Sequence, residues 1–425
     1  WPLRYCGSVD LAFCARSPRV SFRDWVFSVL SPNLPEAMDL AQAFPPGCPL
    51  PPPAFWSRVL ALAVRSLRLN GPGLRCACFA FGTKPVWFFA SALPLVSAGA
   101  LPYRILGGGQ TIARADAHLQ AYACSLVRGA LDDALAGRLD FLDGTVFPHT
   151  CDSIQRLSDI WRLNTGFDDH LDLVLPVKLN TRSAEEYMLA VIKKFRTDLE
   201  AGLGVRITGR DFIKAIGTFN QIRANLRRLY ALISRQPALI NSRDLHAIVK
   251  ASMVMDRDAL CERLAEICNA LDAHQAESGI EKIPLVLTGG ICSMPDIYQH
   301  IEDAGGTVVG DDLCTGSRFF EGTMDVQGDP LLAIAQRYYS RINCPAKHRD
   351  CFSRGDHLLK IVENTRARGV IFVLLKFCDP HAFDFPYLKE FMERAGIPSM
   401  LLEIEGHQMS IEQLKTRIEA FIELL

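Results

Sequence analysis

At 425 residues the chain is long enough for two or three domains, and with 49% apolar residues it can bury a large core. A net charge of −1 argues against a nucleic-acid-binding surface, a polyanionic tail or a nucleic-acid partner. Fourteen cysteines without regular extracellular spacing point to a reducing cytoplasm, with thiols serving as core residues or metal ligands.

The first seventy residues show no clean period and contain the Pro-rich run Phe44 to Pro53. The chain begins at Trp1, as a fragment would, and this opening is not read as a signal peptide. The longest apolar candidate, Val86 to Leu106, is interrupted by Pro94, Gly99 and Pro102, so no membrane-spanning helix is expected. From Gly99 the pattern sharpens. Leu101 to Leu106 reads as a short strand, and Asp116 to Ala136 as a helix through Leu119, Tyr122, Ala123, Leu126, Ala130 and Leu131. Phe141 to Phe147 reads as a strand, and Asp152 opens a second helix.

The middle is helical. Ser183-Ala184-Glu185-Glu186 resembles a capping box, and Thr208-Gly209-Arg210-Asp211 opens a helix over Phe212 to Ser234 with Ile213, Ile216, Phe219, Ile222, Leu226 and Leu229 on one face. A third helix carries Leu260, Leu264, Ile267 and Leu271. Strands then return at Ile283 to Gly290, Thr307 to Gly310, Gly369 to Phe377 and Pro398 to Ile404. Helices are expected at Pro295 to Ala304, Phe385 to Ala395 and Ile411 to Leu425. This alternation predicts an α/β protein with two doubly wound, flavodoxin- or Rossmann-like parallel-sheet domains joined by a helical segment. The expected boundaries are 1–98 for a poorly specified and aberrant N-terminal region, 99–182 for the first α/β domain, 183–275 for the connector and 276–425 for the second α/β domain.

Chemistry is expected at strand ends. Cys378 follows the apolar run Gly369 to Leu375 within Lys376-Phe377-Cys378-Asp379-Pro380-His381, where open α/β sheets bind ligands. Cys124 and Cys151 have comparable settings, so three separated thiols suggest a soft-metal site assembled by folding. Isolated cysteines are more often small buried hydrophobes, and Cys261 and Cys268 fit that description. Thr288-Gly289-Gly290 closes a strand, so its backbone could approach a bound group, but it is neither a dinucleotide nor a P-loop motif. Asp311-Asp312-Leu313-Cys314-Thr315-Gly316-Ser317-Arg318 concentrates carboxylates, hydroxyls and a guanidinium; Lys347 and His348 form a basic pair, and His149 neighbours Cys151.

Leu313 to Arg318 after Gly310-Asp311-Asp312, then Cys344-Pro345-Ala346-Lys347-His348, then Lys376 to Pro380, resemble the 2-hydroxyacyl-CoA dehydratase and benzoyl-CoA reductase family from about Gly99 onward. The resemblance implies one [4Fe–4S] cluster per subunit between two α/β domains, held by Cys124, Cys151 and Cys378, with one iron left open. It implies a second homologous subunit in a heterodimer, an acyl-CoA substrate, and a separate ATP-hydrolysing iron–sulfur activator. One low-potential electron would then convert the thioester to a ketyl radical. His149, Ser317 and His348 are the catalytic candidates on this reading; Asp311, Arg318 and Lys347 are the substrate-binding candidates. Gly73 to Ala98 departs from the family, lacking its Pro-Glu-Glu-Leu segment. The competing expectation is a non-catalytic cluster-bearing or α/β binding protein of the same fold.

Overall fold

The computed structural model describes residues 78–81, 88–107, 112–167, 169–273, 282–291, 297–325, 327–341, 344–347, 349–350, 352–405 and 410–425. Eight strands among them form two four-stranded, wholly parallel sheets. The first contains β1 (Cys78–Phe81), β2 (Leu101–Arg104), β3 (Gly144–Pro148) and β4 (Asp169–Leu173), in the order β2-β1-β3-β4. The second contains β5 (Ile283–Gly289), β6 (Gly306–Asp312), β7 (Gly369–Leu375) and β8 (Ser399–Ile404), in the order β6-β5-β7-β8. Each sheet thus repeats one order, second-first-third-fourth, a kinship that no sequence repeat reveals.

Parallel strands need crossovers, and helices supply them. In the first half these are α1 (Phe88–Ser97), α2 (Ser125–Leu135) and α3 (Asp152–Asn164). Next come α4 (Arg182–Leu203), α5 (Gly209–Arg235), α6 (Ser242–Ala251) and α7 (Arg257–Asp272). The second half has α8 (Ile297–Asp303), α9 (Ser317–Phe320), α10 (Pro330–Ser340), α11 (Ser353–Thr365), α12 (Asp379–Arg394) and α13 (Ile411–Leu424). Helix α5 packs on α1 and α7 and on β6, α9 and α10, so it touches elements of both halves.

The strands β3, β6 and β7 are buried at every position, as expected where helices cover both faces of a sheet. Around β7 the core is Val286, Leu358, Val362, Val370, Phe372, Leu388 and Met392. Gly289 has φ +144°, and a Cβ there would clash with the Val373 carbonyl oxygen. The close approach at this glycine is therefore to the neighbouring strand.

Several elements differ from the sequence expectation. Strand β1 lies where no period is readable. Strand β4 (Asp-His-Leu-Asp-Leu) is missed because an edge strand tolerates charge. The helix expected over Asp116 to Ala136 is divided: Ala115–Ala117 form a 3₁₀ turn, and α2 begins only at Ser125. Helix α12 starts at Asp379, six residues before the expected Phe385 (385 − 379 = 6), because Pro380 fits the first turn of a helix. The cap of α4 is Thr181 rather than Ser183, its hydroxyl accepting from the Ala184 amide. Phe212 takes the buried position assigned to Ile213, which is exposed, and Cys268 takes that of Ile267. Thr208 and Asp211 do form the expected capping box. No helix among the described residues is long and apolar enough to cross a membrane.

Candidate functional site

The third strand of each half leads to a thiol at the same offset. Pro148-His149-Thr150-Cys151 leaves β3, and Leu375-Lys376-Phe377-Cys378 leaves β7. Cys151 is the N-cap of α3 and Cys378 the N-cap of α12. The second strand of the first half leads through the 3₁₀ turn to Cys124, the N-cap of α2. In none of the three does the side chain make a capping hydrogen bond. By contrast Thr181, Thr208, Asn241, Asp256, Asp329 and Ser410 all cap with side-chain oxygens. A thiol is a poor cap, so three helices begin on a residue that does little for the helix. What the position offers is the positive end of the helix dipole, which favours a bound negative charge.

Cys124, Cys151 and Cys378 line one cavity together with Leu126, Val127 and Asp152. Its second-half wall is Gly290, Ile291, Cys314, Phe377 and His381. Cys124 and Cys378 are buried, and Cys151 is partly exposed. Among the described residues no three His, Cys, Asp or Glu side chains stand close enough to hold a single metal ion. Three thiols are the type of donor that soft metals take.

Cys314, Phe377 and His381 belong to this wall and were not singled out as site residues from sequence. Cys314 sits after β6 and donates its amide to the Gly290 carbonyl at 2.9 Å. Their signal in sequence was position alone, just beyond the carboxyl ends of strands.

The polar candidates lie around the cavity rather than in its lining. Arg318 is fully buried and grips Asp312 with Nε and Nη2 at 2.6 and 2.5 Å. Its Nη1 reaches the Gly289 carbonyl at 3.0 Å and Cys314 Sγ at 3.5 Å, so the guanidinium backs the cavity wall. Arg354 bridges Asp312 and Asp384. Burial alone would raise the Asp312 carboxyl, but Arg318, and after it Arg354, hold it well below the usual carboxylate range. The neighbouring Asp311 is pushed upward by burial, against hydrogen bonds from Tyr230 Oη (2.5 Å) and the amides of Ser317 (2.6 Å) and Leu313 (3.1 Å). Ser317 Oγ donates to the Asp311 carbonyl at 2.5 Å. Gly316 is required here, since a Cβ would strike the Asp311 carboxylate.

His149 Nε2 pairs with Asp172 Oδ1 at 2.7 Å, and Ser158 Oγ donates to the same oxygen at 2.5 Å. Lys347, almost wholly buried, donates Nζ to the Leu175 carbonyl at 2.9 Å and the His149 carbonyl at 3.4 Å, tying a loop of the second half to the loop that carries Cys151. Arg104, at the end of β2, crosses the other way to the Cys314 carbonyl at 3.2 Å; burial lowers its guanidinium to about 9. His348 lies outside the described residues. Cys268 is a fully buried helix cysteine whose thiol burial pushes up to about 11, an inert core residue as expected.

The profile of the family described as 2-hydroxyglutaryl-CoA dehydratase, D-component, matches residues 88–425. The chain is 26% identical to an (R)-phenyllactyl-CoA dehydratase beta subunit from Clostridium sporogenes, over 78% of this chain and 88% of that one. It is 27% identical to a lactoyl-CoA dehydratase subunit beta from Anaerotignum propionicum, over 77% and 87%. It is also 27% identical to a benzoyl-CoA reductase subunit from Thauera aromatica, over 76% and 86%.

Proposed function

The chain belongs to the 2-hydroxyglutaryl-CoA dehydratase D-component family, and from that membership we propose that it is the cluster-bearing subunit of an enzyme that dehydrates a 2-hydroxyacyl-CoA or reduces an aromatic acyl-CoA. The observation that supports this most is the meeting of Cys124, Cys151 and Cys378, far apart in sequence, around one cavity at three helix starts. These thiolates would hold a [4Fe–4S] cluster. Bound there, it would supply low-potential electron transfer and Lewis-acid chemistry toward a thioester carbonyl.

The protein's part is to hold and insulate. The amino ends of α2, α3 and α12 favour the negative charge of thiolates and of the group they bind. Arg318, neutralised by Asp312, fixes the wall at Gly289 and Cys314. We assign Asp311 and Ser317 to the support of the turn that carries Cys314, outside the lining itself. His149, oriented by Asp172, is the candidate acid, together with His381 in the lining and with His348. Lys347 holds the Cys151 loop. Two doubly wound halves, with the helical segment 183–275 between them, account for the repeated strand order.

Relatives named as beta subunits support a second, homologous subunit as partner. The reading also includes a separate ATP-hydrolysing activator and a reducing cytoplasm. Anaerobic purification should give a brown protein with about four iron and four sulfide per chain. It should bind an acyl-CoA in the presence of its partner subunit. A colourless, iron-free anaerobic preparation would overturn the proposal; a brown protein blind to every acyl-CoA would favour a non-catalytic carrier.

A further inference from the structure

Phe377 occupies a backbone position that its side chain disfavours. Among the described residues only Arg366 and Phe377 are non-glycine residues with positive φ, at 53° and 64°. Arg366 is the C-cap of α11, where a left-handed residue is routine. Phe377 is the third residue of the turn from Leu375 to Cys378, closed by the Cys378 amide on the Leu375 carbonyl at 3.0 Å. A turn of that kind asks for Gly or Asn, and a bulky side chain there costs about 1–2 kcal/mol.

Phe377 is one of the residues that line the thiol cavity, and 37% of it faces solvent, so the residue stands at the boundary between the two. It is backed from outside: Lys376 Nζ lies 5.3 Å from the ring centroid and pairs with Glu405 at 2.7 Å. The Lys376 amide bonds the Ile404 carbonyl at 2.9 Å, which pins the turn to β8. In the same cavity Cys124 and Cys378 are each only 6% exposed. A glycine would make the same turn without strain and leave the rim open. Strain kept where a glycine would remove it marks a side chain retained for its own sake.

We infer that Phe377 is the solvent shield of the thiol cavity, a side chain that keeps water and small oxidants or electrophiles from Cys124 and Cys378. Shielding deepens the cluster reading, on which its purpose rests, because the potential and survival of a thiolate-held cluster depend on solvent access.

The test uses the metal-free full-length protein and iodoacetamide, with labelling of each cysteine followed by peptide mass spectrometry. In Phe377→Gly, alkylation of Cys124 and Cys378 should accelerate by about tenfold, while partly exposed Cys261 on α7 keeps its rate as internal standard. Phe377→Tyr should stay within about twofold of the parent. Phe377→Gly should unfold at no lower a temperature than the parent, since the turn is relieved. Unchanged labelling of Cys124 and Cys378 would overturn the inference. So would labelling of fully buried Cys268, or a lowered unfolding temperature, since either would make Phe377 a structural plug. Because labelling needs no iron, it can succeed even where iron analysis refutes the cluster; the two failures are distinguishable.

Discussion

At Cys124, Cys151 and Cys378 the residue type works against the helix it starts and for the cavity it faces. That opposition gives a discriminating prediction. Cys151→Ser places a good capping oxygen at the start of α3, so the metal-free variant should gain about 0.5–1 kcal/mol over the metal-free parent in urea or thermal unfolding, and the variant purified anaerobically should hold less iron than the parent. A variant that keeps full iron would remove Cys151 from the ligand set. Asp312 has the opposite character, a residue whose charge the interior requires. Asp312→Asn strands Arg318 in a site with no exposure and should cost about 3–5 kcal/mol. The pH dependence has a definite sign. A carboxyl held below its unfolded value of about 3.9 contributes stability above that pH and loses it as pH falls toward the folded value. Acid unfolding of the parent should therefore steepen below about pH 4, and Asp312→Asn should flatten that limb. An unaltered acid limb would show that Asp312 is not held ionised by Arg318.

The segment before α2 shows how an element is aimed. Asp132, on α2, accepts the amides of Ala113, Arg114 and Ala115 at 2.9, 2.6 and 3.3 Å and pairs with Arg138 at 2.8 Å. One carboxylate thus folds the 3₁₀ turn back onto the helix that Cys124 begins. Burial raises this carboxyl, but the amide of Ala113 and the guanidinium of Arg138 outweigh burial and leave it lowered. Asp132→Ala should release the turn, at a cost of about 2–3 kcal/mol. Amide hydrogen exchange should rise over 112–124 and stay unchanged in the second sheet; uniform exchange across the protein would contradict a local role. The same segment explains a misread helix. Leu119, Tyr122, Ala123 and Leu126 keep helical spacing, but Tyr122 is exposed and the chain breaks before Ser125. Spacing reports which side chains are apolar, whereas Asp132 decides where the backbone turns. Helix α5 contrasts with it, because its capping box and apolar stripe are local and were readable to within a residue.

Across the whole molecule, the cavity is lined by residues of both halves, and hydrogen bonds join those halves. Lys347 reaches the carbonyls of His149 and Leu175, Arg104 that of Cys314, and Asn180 that of Arg349 at 3.0 Å, while Arg257 ties the helical middle to the Pro102 carbonyl at 2.8 Å. Lys347→Met should leave far-UV circular dichroism unchanged while iron retained through anaerobic gel filtration falls by about threefold or more, since the Cys151 loop loses its tether. Full retention would confine Lys347 to packing. By itself the sequence determined the α/β class, the strands β5 to β8, the helical middle and the three cysteines that end up in one cavity. Each of these depends on local apolar runs, caps and strand-end positions, or on motifs with which the sequence resembles its family. Tertiary structure alone decided that all three thiols are helix N-caps, that both sheets repeat one strand order, that β1 and β4 exist, and that Cys314, Phe377 and His381 complete the wall. It also decided the bonding partners of Asp311, Arg318 and Lys347, which include groups that lie far from them in sequence or across the fold. The physical reason is range: periodicity and caps act over a few residues, whereas burial, ion pairing and cavity lining depend on segments that meet only after the chain has folded.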